Sequence, residues 1–129
     1  MAELSTYMED RIVNFMRDVA ITGEAAVYVA LFTQDDGLEA GTITSEVSGG
    51  SYARELAGLS ASSDGVSANA ADITFTTATA AWGTISHVAL MDAISGGNVI
   101  MHSALDASKT VADGDTFKVN TGDLDVTIA

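Results

Sequence analysis

Apolar residues recur every three or four positions at the start of the chain: Leu4, Tyr7, Met8, Ile12, Phe15, Met16 and Val19. That period gathers all seven on one face of an α-helix running from Glu3 to Val19. Glu3, Glu9 and Asp10 suit the positive end of the helix dipole and Arg17 the other end, while Thr22-Gly23 supplies a C-cap. After Ala26 the period changes. The run Ala26 to Thr33 is β-branched and aromatic and apolar at consecutive positions, which predicts a central strand covered on both faces. Gln34-Asp35-Asp36-Gly37 turns the chain, and loop-like composition continues to Gly50, with a short strand expected near Thr42 to Glu46. A loop of this length in a compact domain is usually functional or mobile.

From Ser51 onward, short β-type runs alternate with Gly, Asp, Asn and Ser turns. Strands are expected at Ser51 to Leu59, Asp72 to Thr77, Thr84 to Asp92, Asn98 to Leu105, Thr116 to Val119 and Leu124 to Ile128. Ser95-Gly96-Gly97 marks a hairpin between the third and fourth of these. The expected fold is mainly β: a single antiparallel β-sandwich, jelly-roll-like, preceded by one N-terminal amphipathic helix. Helix and connector occupy residues 1–25 and the sandwich residues 26–129.

Composition narrows the function classes. The 129 residues are enough for one core without staples, and 47% apolar against 18% charged argues against disorder. There is no cysteine, hence no disulfide framework and no thiolate metal site. No apolar run reaches the roughly 18 residues of a bilayer span and the N-terminus lacks signal-peptide order, so a soluble protein is expected. The net charge of −13 comes from 18 acids against five bases, Arg11, Arg17, Arg54, Lys109 and Lys118. Phosphate backbones are bound by clustered cations, and these five are scattered, so neither nucleic acid nor membrane is an expected partner. The acidity reads first as a solvated surface and second as a face for a basic partner.

Candidate chemistry is sparse. His87 and His102 fall on the two arms of the expected hairpin. Direct pairing sets the imidazoles opposite each other, and a register shifted by one residue sends them to opposite faces. A zinc site needs three or four convergent ligands, and the nearest acids, Asp92 and Asp106, lie further along the strands, so no metal is assigned. Asp35-Asp36, Asp113-Gly114-Asp115 and Asp123-Leu124-Asp125 lack the ordered spacing of a calcium loop, and Asp and Gly favour turns for backbone reasons. Ser48-Gly49-Gly50-Ser51 is not a nucleophile elbow, and no glycine loop opens a helix to cradle phosphate. No catalytic residue and no cofactor is therefore expected. Trp82 and Tyr52 suit a core or an interface.

One stretch, Glu46-Val-Ser-Gly-Gly-Ser-Tyr-Ala-Arg54, resembles a signature of small virion proteins of tailed bacteriophages. The resemblance continues through Ala71-Asp-Ile-Thr-Phe75, Ala78-Thr-Ala-Ala-Trp-Gly-Thr-Ile-Ser-His-Val-Ala-Leu-Met-Asp92 and Ser95-Gly-Gly-Asn98. Ser108-Lys-Thr-Val111, Gly114-Asp-Thr-Phe-Lys118 and Gly122-Asp-Leu124 complete it. It covers nearly the whole chain, most specifically residues 46 to 118. Members carry an N-terminal helix and an all-β domain, and bear loose labels such as tail fibre protein or structural protein. The resemblance implies a non-enzymatic virion component, assembled in the host cytoplasm and acting through other virion proteins.

Within that class the expected role is a capsid decoration or cement protein docked on the major capsid protein. The alternatives are a neck or tail subunit (ring or fibre attachment) and a carbohydrate-binding adhesion module. A homo-oligomer is expected, a trimer in preference to a dimer. Tyr7, Ile12, Phe15 and Met16 of the helix, Asp35 and Asp36 of the loop, and Tyr52 and Arg54 beyond it are the expected contact residues.

Overall fold

The computed structural model describes residues 3–128. Met1, Ala2 and Ala129, the ends of the two expected regions, lie outside the described residues. In chain order the elements are β1 (Glu3–Leu4), α1 (Thr6–Met16), β2 (Tyr28–Phe32), a 3₁₀ turn (Leu38–Ala40), β3 (Glu55–Leu56), β4 (Val66–Ala68), β5 (Ile73–Thr74), β6 (Gly83–Met91), β7 (Val99–Val111), β8 (Lys118–Val119) and β9 (Asp125–Thr127). Five of the strands form one antiparallel sheet in the order β1–β7–β6–β2–β3, and β4–β9 and β5–β8 form two separate antiparallel ribbons.

The expected fold class holds: the protein is mainly β, with one helix and a large antiparallel sheet faced by β ribbons. The second layer is two ribbons rather than a continuous sheet. Alternation along β2 shows how the layers are built. Val29 and Leu31 point into the larger core, with Ile85, Leu90, Met101, Phe75, Trp82 and Phe117, between the sheet and the ribbons. Ala30 and Phe32 point the other way, with Leu38, Ala89, Met91 and Val99, under the segment that carries the 3₁₀ turn. All four β2 residues are fully buried, as expected of a strand apolar on both faces.

The helix is shorter than its apolar period suggests, and the reason is Ser5. With φ −76° and ψ 158° it is extended, and its hydroxyl accepts from the Met8 backbone N–H at 3.3 Å, making it the N-cap. Glu3 and Leu4 are therefore not helical. They pair with His102 and Met101 as the edge strand of the main sheet. At the other end, Arg17 closes the last turn and Asp18 adopts φ 67°, so the helix stops before Val19 and well before Thr22-Gly23.

Other strands are also shorter than their sequence runs. Ser51 to Leu59 contributes only Glu55–Leu56, and Asp72 to Thr77 only Ile73–Thr74. No strand forms at 42–46, where a single bridge links Phe32 to Glu46. By contrast β7 runs well past Leu105, to Val111. Its register with β6 shifts at two irregularities, one of which sets Leu105 to Ser108 against Ser86 alone.

Candidate contact surfaces

The apolar stripe expected from Leu4 to Val19, of which α1 takes Thr6–Met16, divides in two. Leu4 and Met8 pack against the larger core, whereas Phe15 and Met16 are 61% and 78% exposed, with Val13 and Val19 at least half exposed beside them. Tyr7 and Ile12 lie between these extremes. Arg11 sits with its guanidinium 5.3 Å from the centre of the Tyr7 ring and donates to the Tyr7 hydroxyl at 2.9 Å. It also pairs with Glu24 and donates to the Thr22 carbonyl, which folds the connector back along the helix. Fixed in this way, the C-terminal half of α1 displays Val13, Phe15 and Met16, and Val19 just beyond it, as four apolar side chains that the described residues leave at least half exposed.

Asp35 and Asp36 are exposed, yet both are engaged in shaping their loop. Asp35 accepts from the backbone N–H groups of Gly37 and Leu38, both at 2.8 Å, and so caps the 3₁₀ turn. Those two bonds hold its carboxyl below the ordinary carboxylate value. Asp36 accepts from the Ser45 hydroxyl, from Gln34 at 2.6 Å and from Thr44 at 3.2 Å, and the Ser45 bond leads in lowering its pKa. The loop from Gln34 to Gly50 is thus a tied structure that roofs the smaller core.

Tyr52 and Arg54 turn inward. Arg54 is 5% exposed, and its Nε and one terminal nitrogen form a two-pronged pair with the Glu46 carboxylate, each at 2.7 Å. The other terminal nitrogen donates to the carbonyls of Ala93 and Gly96, at 2.7 and 2.8 Å, and so grips the β6–β7 turn. The Tyr52 hydroxyl donates to Glu46 at 2.9 Å and accepts from the Leu31 N–H at 3.0 Å, and burial raises its pKa. Its ring joins Phe75, Trp82 and Phe117 in an aromatic cluster with centroids 5.4 to 6.5 Å apart. Among the chain's eight aromatic residues, Phe15 alone is exposed.

The histidines adopt neither register considered from sequence. Ala89 stands opposite His102 and Ala104 opposite His87, which makes the imidazoles diagonal neighbours on one face. His87 Nδ1 lies 2.8 Å from the Ser86 hydroxyl, which itself lies 2.8 Å from the Thr33 carbonyl as donor. His102 is buried, and two acids that sequence reasoning passed over come to it: Glu3, its partner across β1–β7, and Glu39 of the 3₁₀ turn. Residues so far apart in the chain carry no local spacing signature; the pairing of β1 with β7 brings Glu3 to His102, and the packing of the 3₁₀ turn against β7 brings Glu39.

Residues 3–127 match the family model Gp80, described as podophage GP4 fiber I protein gp80. The chain belongs to the Gp80 family. A search of curated proteins gives no match. Membership makes the chain a bacteriophage virion structural protein of the fibre class, the group to which its sequence strings pointed. Among the described residues no helix is long and apolar enough to cross a membrane.

Proposed function

We propose that this protein is a non-enzymatic subunit of the phage tail-fibre apparatus that binds other virion proteins through the exposed C-terminal half of α1. The family description names a fibre protein, which favours the neck or tail reading over capsid decoration. The observation that carries the contact surface is the apolar group Val13, Phe15 and Met16 on the helix and Val19 just after it, at least half exposed where the chain otherwise holds the helix firmly. Burying a side chain such as Phe15 or Met16 in a partner gains roughly 1.5–3 kcal/mol. Asp35, Asp36 and the wider acidic surface then act at the rim, where charge steers partners more than it adds affinity. Tyr52 and Arg54 hold the 34–50 loop from within, through Glu46. A sugar-binding role draws little support, because seven of the eight aromatic rings are not exposed for stacking.

The subunit works as a homo-oligomer, with a trimer expected, assembled in the host cytoplasm before it joins the particle. The test is complementation of a phage lacking this chain with Phe15→Asp and Met16→Asp variants. Both side chains are exposed, so both variants should fold with an unfolding midpoint close to wild type. They should be missing from purified particles, while imaging should place the wild-type chain at the tail. Normal incorporation of the folded variants would move the interface elsewhere, and wild-type chain on the capsid shell would restore the decoration reading.

A further inference from the structure

The geometry points to a binding site for one divalent transition-metal ion of the zinc type, held by Glu3, Glu39 and His102. One carboxylate oxygen from each glutamate and one ring nitrogen of His102 all lie within 4.8 Å of one another. An ion near the centre of such a group needs only small side-chain adjustments to reach ligand distances of about 2.0–2.2 Å. Three protein ligands with an open fourth position form a recurrent zinc arrangement. The mixed imidazole and carboxylate set suits a borderline ion better than calcium or magnesium, which prefer oxygen alone.

An acidic cluster by itself says little, because exposed acids commonly sit near one another. The second observation here is His102. It is 7% exposed, and its Nε2 is buried without a hydrogen-bond partner. Leaving such a nitrogen unsatisfied costs roughly 1–3 kcal/mol, so a buried orphan of this kind calls for an explanation. The ion pairs among the described residues go to Glu24, Glu46 and Asp72, so no Arg or Lys neutralises Glu3 or Glu39.

A small cleft of about 200 Å³ borders two of the three, Glu3 and His102, with Asp35 and His87 beside them. His87 stands beside the group in this cleft, its Nδ1 held 2.8 Å from the Ser86 hydroxyl. Bound there, the ion would tie the edge strand β1, the 3₁₀ turn and β7 together. Those three segments are distant in sequence, so the full ligand set exists only in the folded chain.

The experiment is calorimetric titration of the metal-free full chain with zinc chloride, alongside thermal unfolding with and without the ion. One ion per chain should bind, and the unfolding midpoint should rise with zinc concentration, as for any ligand that prefers the folded state. Glu39→Gln, at an exposed position, and His102→Gln should each weaken binding by about tenfold or more. Asp106→Asn, outside the group, should bind as wild type. If His102→Gln fails to fold, Glu39→Gln decides the matter alone. Absence of both heat and midpoint shift would overturn the site, and so would wild-type affinity in Glu39→Gln. Calcium or magnesium binding more tightly than zinc would overturn the assigned class of ion.

Discussion

At the scale of single residues, the turn before Tyr52 shows what one missing Cβ allows. Gly50 has φ +56°, and a Cβ built there would lie 2.9 Å from the Ala80 carbonyl oxygen and 2.9 Å from Trp82 Nε1. The same glycine offers its carbonyl to Trp82 Nε1 at 2.9 Å and to the Thr79 N–H at 3.0 Å. Close approach and left-handed backbone therefore coincide at the point where the loop meets the aromatic cluster. Gly50→Val should lower stability by about 1–3 kcal/mol, read as a drop in the denaturation midpoint. An unchanged midpoint would mean that the turn relaxes freely. The sequence made this glycine legible, because a Gly-Gly pair ahead of a strand signals unusual backbone. It did not make Arg54 legible. A charged residue two positions after an aromatic one reads as surface, and only the folded chain shows Glu46, Ala93 and Gly96 converging on its guanidinium.

Elements were legible in type more than in extent. A 3.6-residue period found the helix, and consecutive apolar residues found β2 as a doubly covered strand. The period could not tell that Leu4 reaches the core from a strand rather than from a helix, since either geometry points it inward. Ser5 decides the boundary, through its extended backbone, its cap to Met8 and a hydroxyl that donates to the Val99 carbonyl. Fully buried, it ties α1 to the first residue of β7. Ser5→Ala removes the cap and leaves a buried carbonyl short of a donor, at a cost of about 1–2 kcal/mol. Hydrogen exchange should show earlier opening of α1 in this variant than in wild type, with β2 and β6 little changed. Protection in α1 equal to wild type would remove the boundary role from Ser5. The strand shortening elsewhere has a different origin. Ser51 to Leu59 carries β-type residues, but Arg54 is drawn aside to Glu46 and the β6–β7 turn, which leaves two residues for the sheet. The group Glu3, Glu39 and His102 was invisible for a third reason: it depends on the pairing of two strands separated by almost the whole chain and on a 3₁₀ turn packed against one of them.

Over the whole molecule, the acidity that looked like a bland solvated surface also fastens loops to the two layers. Asp35 caps the 3₁₀ turn and Asp36 gathers Gln34, Thr44 and Ser45 over the smaller core. Asp72 holds the opposite side, accepting from the Thr121 N–H at 2.8 Å and hydroxyl at 2.9 Å, with Lys118 at 3.1 Å. All three carboxyl groups are held below their ordinary value. Backbone N–H bonds are the main cause for Asp35 and Asp72, and the Ser45 hydroxyl for Asp36. The unfolded chain therefore binds protons more readily at these positions than the folded one does. Their contribution is complete above the unfolded carboxyl value of about 3.9 and disappears as pH falls through the lower folded values. Relief of repulsion acts in the opposite direction, because protonation also shrinks a net charge of −13. The caps should win below about pH 4, since that repulsion is spread over an exposed surface and screened within about 10 Å at 0.1 M salt. Thermal unfolding midpoints in that salt should be nearly level from pH 7 to 5 and fall between pH 4 and 3. Asp35→Asn, which cannot gain this proton, should show a lower midpoint at neutral pH and a shallower acid decline. A midpoint that climbs steadily down to pH 3 would show that charge repulsion, and not the capping carboxylates, governs the acid stability of this fold.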